Sequence, residues 1–152
     1  MTWLRLSFES RLDEIFLVSL VVNGVCQKKG LDEITAYQIE LCAVEAVTNA
    51  IRHAYSLEAG KEVTVLFRFD RDRIDLEIQD HGNPMSMQTR ERLMNGSRVL
   101  DFDPADIQSL PESGMGLQII HEIMDEVAYT SDGTGNRLCL TKIVTHDQKV
   151  TH

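Results

Sequence analysis

The pattern that most restricts the fold is a pair of short segments in which polar and apolar residues alternate. Residues 62–69 and 73–79 show this alternation, and only Asp70-Arg71-Asp72 separates them. Alternation with a period of two predicts strands with one buried face, and a short charged connection predicts a tight turn. The sequence therefore predicts a β-hairpin near the middle of the chain, in a sheet whose second face is partly exposed to water.

A strand and a helix are predicted before this hairpin. Residues 2–8 alternate loosely and indicate a strand, after which Ser10 and Asp13 form a candidate helix-capping pair. The helix that follows ends at Gly30, because glycine suits the left-handed position just after a helix. Residues 15–25 are apolar on nearly all sides, which predicts that this helix is buried on more than one side.

Three more helices and a second hairpin complete the predicted order. Acidic residues at the start of the second helix favour its N-terminus, where negative charge is stabilising. We expect helices at about 32–55, 87–95 (a weak one) and 115–125, and strands at about 126–131 and 136–144.

The order strand, helix, helix, hairpin, helix, hairpin predicts an α+β fold. One antiparallel or mixed sheet would carry its helices on one face, which gives a two-layer α/β sandwich. A chain of 152 residues favours one domain with one core. We expect this domain to span residues 1–145, followed by a polar tail at 146–152.

Composition excludes several classes of function. The formal net charge of −9 argues against direct nucleic-acid binding, which needs clustered Lys and Arg. The longest apolar run, residues 15–26, is too short to cross a membrane, so no membrane partner is expected. The cysteines Cys26, Cys42 and Cys139 are widely spaced and contain no CxxC pair. This pattern predicts buried, reduced thiols in a cytoplasmic protein.

A polar face on the second helix carries candidate chemistry. Glu45 and Asn49 stand four residues apart, so in a helix they project on the same side. Glu45 can accept a proton there, and the side-chain oxygen of Asn49 can bind a hard cation. Arg52 and His53 extend this face. A solvated polar stripe explains the same pattern, and these residues alone do not decide between the two interpretations.

Two glycine-bearing segments follow the polar helix. In the first, Asp80 can accept a hydrogen bond from an amine, while Gly82 lets the backbone approach a flat ligand. In the second, residues 113–117, glycines precede a predicted helix, where free N–H groups can bind phosphate oxygens. A plain turn and a flexible hinge are the alternative explanations. Between them, residues 81–113 hold all three prolines and lack a sustained period, which is typical of a functional or mobile loop.

Taken together and in this order, these motifs resemble the GHKL ATP-binding superfamily, whose fold is called Bergerat. Within it, the chain is similar to the bacterial anti-sigma-factor serine/threonine protein kinases. The resemblance covers roughly residues 5 to 143. The matching segments are Glu45-Ala46-Val47-Thr48-Asn49-Ala50 with His53-Ala54-Tyr55, Asp80-x-Gly82, Gly114-x-Gly116-Leu117, Met124-Asp125-Glu126-Val127 and Gly133-Thr134.

The resemblance implies ATP and Mg²⁺ as cofactors and a role for each matching residue. Glu45 would be the general base and Asn49 the Mg²⁺ ligand, with Arg52 near the phosphate charge. Asp80 would bind the adenine amine, and Gly82 would lie beneath the base. Thr134 would line the adenine side, and residues 84–113 would form an ATP lid. The backbone N–H groups facing the phosphates would come from Gly114, Met115, Gly116 and Leu117.

Departures from the family pattern occur in and beside the lid. Pro84 stands where the wider superfamily often has glycine, and Glu112 stands where fuller glycine boxes carry a further glycine. The lid is long for a small kinase of this type. Its acids, such as Asp101, Asp103 and Asp106, could serve partner binding.

The leading functional hypothesis is an anti-sigma factor that is also a serine kinase. It would bind a sigma factor or another regulatory target and would phosphorylate a serine on a STAS-type antagonist. The apolar surface of the first strand and helix would support a homodimer. Two alternatives remain open: a module that binds ATP and sequesters a partner without transferring phosphate, and a stand-alone histidine-kinase-like ATPase domain.

Overall fold

The computed structural model describes residues 2–95 and 112–145, and for residues 112–115 it describes the backbone alone. The predicted lid residues 96–111, with Asp101, Asp103 and Asp106, and the predicted tail at 146–152 lie outside the described residues. The domain boundary at 145 stays a prediction. The elements are β1 (Thr2–Glu9), a 3₁₀ turn (Leu12–Glu14), α1 (Ile15–Lys28), α2 (Glu33–Asn49), a π-helical turn (Ala50–Ala54), β2 (Glu62–Phe69), β3 (Arg73–Asp80), α3 (Met87–Asn95), α4 (Glu112–Ile123), β4 (Glu126–Ser131) and β5 (Asn136–Ile143).

The five strands form one sheet in the order β1-β2-β3-β5-β4, and every neighbouring pair is antiparallel. The central hairpin β2–β3 is confirmed, with Phe67 opposite Leu76. Its turn is closed by the Asp70 N–H, which donates to the Arg73 carbonyl at 3.0 Å. Of the two sheets that the sequence left open, antiparallel or mixed, the described residues form the antiparallel one.

The core lies between one face of this sheet and the helical layer. Alternate residues of each central strand point into it, as the period-two pattern predicted. The helix α2 supplies the facing side chains from one stripe of its surface. The fully buried members, none more than 2% exposed, include Val63, Val65, Phe67, Leu76 and Ile78 from the sheet and Ile39, Cys42, Ala43, Ala46 and Val47 from α2.

The predicted capping role of Ser10 is wrong. Its hydroxyl donates to the Glu58 carbonyl at 2.7 Å and accepts from the Lys61 N–H at 3.1 Å. Ser10 is 1% exposed, so these bonds satisfy a buried hydroxyl and fasten the end of β1 to the loop before β2. The chain then enters α1 through a 3₁₀ turn without a side-chain cap. The helix ends as predicted, with Gly30 at φ +91°.

The helix α1 is buried on one side only, contrary to the sequence prediction. Val18, Val22 and Cys26 are fully buried, four residues apart along one stripe. On its outer side, Phe16 is 56% exposed and Leu20 is 65% exposed. Among the described elements, α1 packs chiefly against α2, so its buried stripe is the one that faces α2. Among the described residues, no helix is both long and apolar enough to cross a membrane.

The second helix begins as predicted, because the Asp32 carboxylate accepts the Thr35 N–H at 2.6 Å. Its last turn is π-helical, from Ala50 to Ala54. A π turn adds a residue to the helical repeat, and such turns are frequent at functional sites. Glu45 and Asn49 therefore keep α-helical spacing, whereas the residues after Asn49 are rotated relative to them.

The helix α4 begins at Glu112, three residues before its predicted start at Met115. Gly114 and Gly116 therefore lie inside the helix and not ahead of it. Glycine has a low helix propensity, but α4 packs against α2 and continues through both glycines. The weak helix predicted at 87–95 is confirmed as α3, and both closing strands lie where they were predicted.

Candidate nucleotide-binding site

Two adjoining cavities lie where α2, β3 and α4 meet. The first, the Asp80 cavity, has a volume of about 240 Å³ and is lined by Asp80, Asn83, Met85, Tyr129 and Leu138, among others. The second, the Glu45 cavity, has a volume of about 210 Å³ and is lined by Glu45, Thr48, Arg52, Gly116 and Leu117. Asn49 and His53 line both cavities. The two spaces together suit an elongated ligand that is flat at one end and charged at the other.

The carboxylate of Asp80 is the buried polar group of the first cavity. It is 8% exposed, and its Oδ1 accepts the Gly82 N–H at 2.9 Å and the Asn136 Nδ2–H at 2.7 Å. No hydrogen bond to Oδ2 is found within the described residues. Burial raises the pKa of Asp80, and the two donated bonds oppose that shift. One oxygen is therefore held in place, while the other is available to a ligand donor.

Gly82 is required by a close approach of two segments. A Cβ atom there would collide with the Ala54 carbonyl and lie 2.9 Å from Cδ1 of Tyr55. The next residue, Asn83, donates its N–H to the same Ala54 carbonyl at 2.8 Å. The loop after β3 thus lies directly on the π-helical turn, which fixes the floor of the Asp80 cavity.

The resemblance places Thr134 on the adenine side of the site, but the residue from this part of the chain that hydrogen-bonds Asp80 is Asn136. The hydroxyl of Thr134 donates to Asp132 at 2.6 Å, and Thr134 is exposed in the β4–β5 turn. Asn136 lies close to Asp80 instead, and it also donates to the Gly82 carbonyl at 3.0 Å. A signal for it existed in the sequence, because Asn136 shares the inward alternation of β5 with Leu138 and Leu140.

Glu45 lies against α4 in the second cavity. A Cβ atom on Gly116 would collide with Oε2 of Glu45 and lie 3.3 Å from its Cδ. Glycine at this position is therefore what lets the carboxylate sit between the two helices. Leu117 follows as a buried residue, 4% exposed, that packs α4 into the core.

The backbone N–H groups that are free to bind phosphate differ from the set that the resemblance implied. The first four N–H groups of a helix are free of intrahelical bonds, and α4 begins at Glu112. By position, Gly114 belongs to that free turn, whereas Gly116 and Leu117 lie beyond it. Gly116 has a different role: because it has no side chain, it leaves room for the Glu45 carboxylate. The side chain of Met115 lies outside the described residues.

Two further polar residues, Arg52 and His53, line the cavities. Arg52 is exposed and lines the Glu45 cavity, and His53, to which the sequence assigned no role, lines both cavities. Tyr55 stabilises the backbone beside the site. Its hydroxyl donates to the Glu62 carbonyl at 2.6 Å and accepts the His81 N–H at 2.7 Å, which fixes the backbone just after Asp80.

Asp80→Asn is expected to change stability and ligand affinity in opposite directions. A raised pKa means that the folded state prefers the protonated carboxyl, so wild-type stability falls as pH rises through that pKa. The amide removes this penalty and should raise the free energy of unfolding at pH 7, with a smaller difference below pH ~4. It also removes the charged acceptor, and the affinity for ATP, the ligand that the resemblance implies, should fall about 10- to 100-fold. Urea denaturation at both pH values and calorimetric titration with ATP measure the two effects.

The fold and the paired cavities define a histidine kinase-like ATPase domain. Residues 8–142 match that family, and the chain belongs to it. Among characterised proteins, the chain is similar to the serine-protein kinase RsbW of Bacillus mycoides, with 25% identity over 146 residues, which cover 95% of this chain and 87% of that protein. It is similarly related to RsbW of Listeria innocua, with 23% identity over 95% of this chain and 89% of that protein.

Solved structures show the same fold. The RsbU and RsbW domains of a Mycobacterium tuberculosis protein superpose with a TM-score of 0.66 at 12% identity, over 100% of this chain and 35% of that longer one. The SiaB–SiaC complex of Pseudomonas aeruginosa gives a TM-score of 0.57 at 16% identity, over 91% of this chain and 88% of that one. The family resemblance and the α+β fold predicted from the sequence are confirmed.

Proposed function

We propose that this protein is a partner-switching serine kinase. It binds ATP with Mg²⁺, phosphorylates a serine on a STAS-type antagonist, and sequesters a sigma factor or another regulatory target. The observation that carries this proposal is the position of Glu45, an acid that lies against Gly116 of α4 and one helical turn from Asn49. The related serine-protein kinases, which align along nearly the whole chain, support the same class.

The residues present fit ATP and Mg²⁺. The Asp80 cavity has apolar walls, including Leu138 and Ala50, and one buried carboxylate, which suits a purine with an exocyclic amine. The Glu45 cavity offers the Asn49 amide oxygen as a hard-cation ligand and Arg52 as a positive group. Asn49 would hold Mg²⁺, and the ion would supply positive charge to neutralise the phosphates.

Glu45 supplies the proton chemistry of the proposed reaction. Its carboxylate takes the proton from the serine hydroxyl as the serine oxygen bonds to the γ-phosphorus, and the bond from that phosphorus to the β–γ bridging oxygen breaks. Phosphoserine and ADP are the products. Positioning and charge neutralisation account for most of the rate in such transfers, so a base, a cation ligand and a glycine-bearing helix start suffice.

Removal of the Asn49 amide tests the proposed cation site. Asn49→Ala should raise the Kd for ATP in the presence of Mg²⁺ to the value measured without Mg²⁺, because the side chain acts through the cation. Calorimetric titration of both proteins, with Mg²⁺ and with EDTA, measures this effect. If the variant gained as much affinity from Mg²⁺ as the wild type does, the cation would be held elsewhere.

The proposed function is tested by phosphate transfer. The purified chain is incubated with Mg-ATP and a panel of single-domain STAS proteins from the same genome, and phosphoserine is located by mass spectrometry. A single modified serine on one STAS protein supports a partner-switching kinase. Phosphate on histidine, or ATP binding without any transfer, would favour one of the two alternative functions.

The antagonist must reach Glu45 with its serine, whereas the contact with a second copy of the chain or with the regulatory target is assigned to a surface outside the nucleotide site. The exposed apolar side of α1, with Phe16 and Leu20, supports the predicted homodimer or another protein contact, since large exposed apolar patches mark interaction sites. We place the switch in the cytoplasm, where sigma factors act.

A further inference from the structure

The Asp80 cavity is also lined by Tyr129 of β4, whose side chain carries a hydroxyl. The Tyr129 side chain lines this cavity together with Asp80, and the residue is 9% exposed. Its oxygen accepts the Met85 N–H at 2.8 Å. No hydrogen bond donated by this hydroxyl is found within residues 2–95 and 112–145. A phenol can both donate and accept, so half of its capacity remains for a ligand.

The neighbouring tyrosine shows the contrast. Tyr55 also lies beside the site, but it donates to the Glu62 carbonyl and accepts the His81 N–H, so both of its capacities are used inside the protein. Tyr129 lines the Asp80 cavity, whereas Tyr55 lines neither of the two cavities. The two residues therefore differ in role: Tyr55 supports the loop after β3, and Tyr129 presents an unused donor.

The ring of Tyr129 is held rigidly. The Arg90 guanidinium of α3 lies 5.0 Å from the ring centroid, and Arg90 also donates to the Tyr129 carbonyl at 3.2 Å. Burial raises the pKa of Tyr129, with a further contribution from the charge of Asp80, so the hydroxyl keeps its proton at neutral pH. A donor that is fixed before the ligand arrives loses little entropy on binding.

Asp80 and Tyr129 together place an acceptor and a donor in one cavity. Adenine has the complementary pair, because its exocyclic amine donates and the ring nitrogens beside it accept. We propose that the Tyr129 hydroxyl donates to an adenine ring nitrogen that flanks the amine bound by Asp80, so that Tyr129 is a second base-recognition residue. This inference rests on the proposed binding of ATP at this site.

Nucleotides that lack one ring nitrogen test the bond directly. We measure the affinities of ATP, 1-deaza-ATP and 7-deaza-ATP for the wild-type protein and for Tyr129→Phe by calorimetry. The wild type should bind one of the two analogues about 3- to 10-fold more weakly than ATP. The variant should bind ATP more weakly by a similar factor and should no longer distinguish ATP from that analogue.

The ratio of the affinity for ATP to the affinity for each analogue separates base recognition from anchoring of the loop at Met85. Loss of the Met85 bond in Tyr129→Phe would weaken all three nucleotides equally and leave their ratios unchanged, and that result would overturn the proposal. Tyr55→Phe is the matched control, and it should retain the wild-type ratio. Equal wild-type affinity for ATP and both analogues rejects the role of Tyr129 even if the variant does not fold. Absence of ATP binding by the wild type rejects the proposed function itself.

Discussion

Glu45→Gln is expected to bind ATP about as well as the wild type but to transfer phosphate to serine about 100- to 10,000-fold more slowly. The amide has the shape of the carboxylate and fits against Gly116, but it cannot take a proton from the serine hydroxyl. Single-turnover transfer from labelled ATP to the proposed STAS-type antagonist measures the rate, and calorimetry measures the Kd. Full transfer by this variant would show that another group is the base.

Glu40→Gln is the matched control on the same helix. Glu40 is half-buried, and its carboxylate binds Ser19 and accepts from Asn23 Nδ2 at 2.8 Å, on the side of α2 that faces α1. A glutamine can keep one of these bonds. We expect the wild-type transfer rate from this variant, so a loss that is specific to Glu45 cannot be attributed to the charge of α2.

Gly82→Ala is expected to lower the free energy of unfolding by about 1–3 kcal/mol and to weaken ATP binding strongly. The new methyl group would meet the backbone of Ala54 and the ring of Tyr55, and neither can rotate away. The loop after β3 must then lift from the π-helical turn, which displaces the residues that hold Oδ1 of Asp80. Urea denaturation and ATP titration measure both effects. A variant with wild-type stability and affinity would contradict the close packing described here.

Gly24→Ala is the control for a glycine without such a neighbour. Gly24 lies inside α1, and a Cβ atom there would have nothing within 4 Å. Alanine is the better helix former, so this variant should be more stable by about 0.5–1 kcal/mol and should bind ATP normally. The same change from glycine to alanine is thus expected to lower the free energy of unfolding at Gly82 and to raise it at Gly24.

The sequence predicted most elements because their patterns are local. The β2–β3 hairpin follows from alternation and a short turn, and the spacing of Glu45 and Asn49 follows from the helix repeat. The errors arose where a distant segment decides the outcome. Ser10 binds a loop about fifty residues later in the chain, and α4 extends through Gly116, which lies against Glu45 of α2.

The sequence motifs identify residues that lie together in the structure, but they do not give the hydrogen bonds among them. Asp80, Glu45 and Asn49 line the two cavities, and Gly82 donates to Asp80. Thr134, which was expected on the adenine side, donates to Asp132, and the residue that donates to Asp80 from this part of the chain is Asn136. Choosing between residues two positions apart requires the register of β5 on β3, which pairs Asn136 with Asp80. Sequence motifs do not contain that register.

The strand order also has a consequence for how the chain is completed during synthesis. β5 lies between β3 and β4, so the last of the five described strands to be synthesised enters the interior of the sheet. Until then β3 presents an open edge, and such edges are prone to pair with other chains. Asp80 gains its Asn136 partner only when β5 inserts. A nascent chain that stops before residue 136 should therefore need protection from aggregation and should not bind nucleotide.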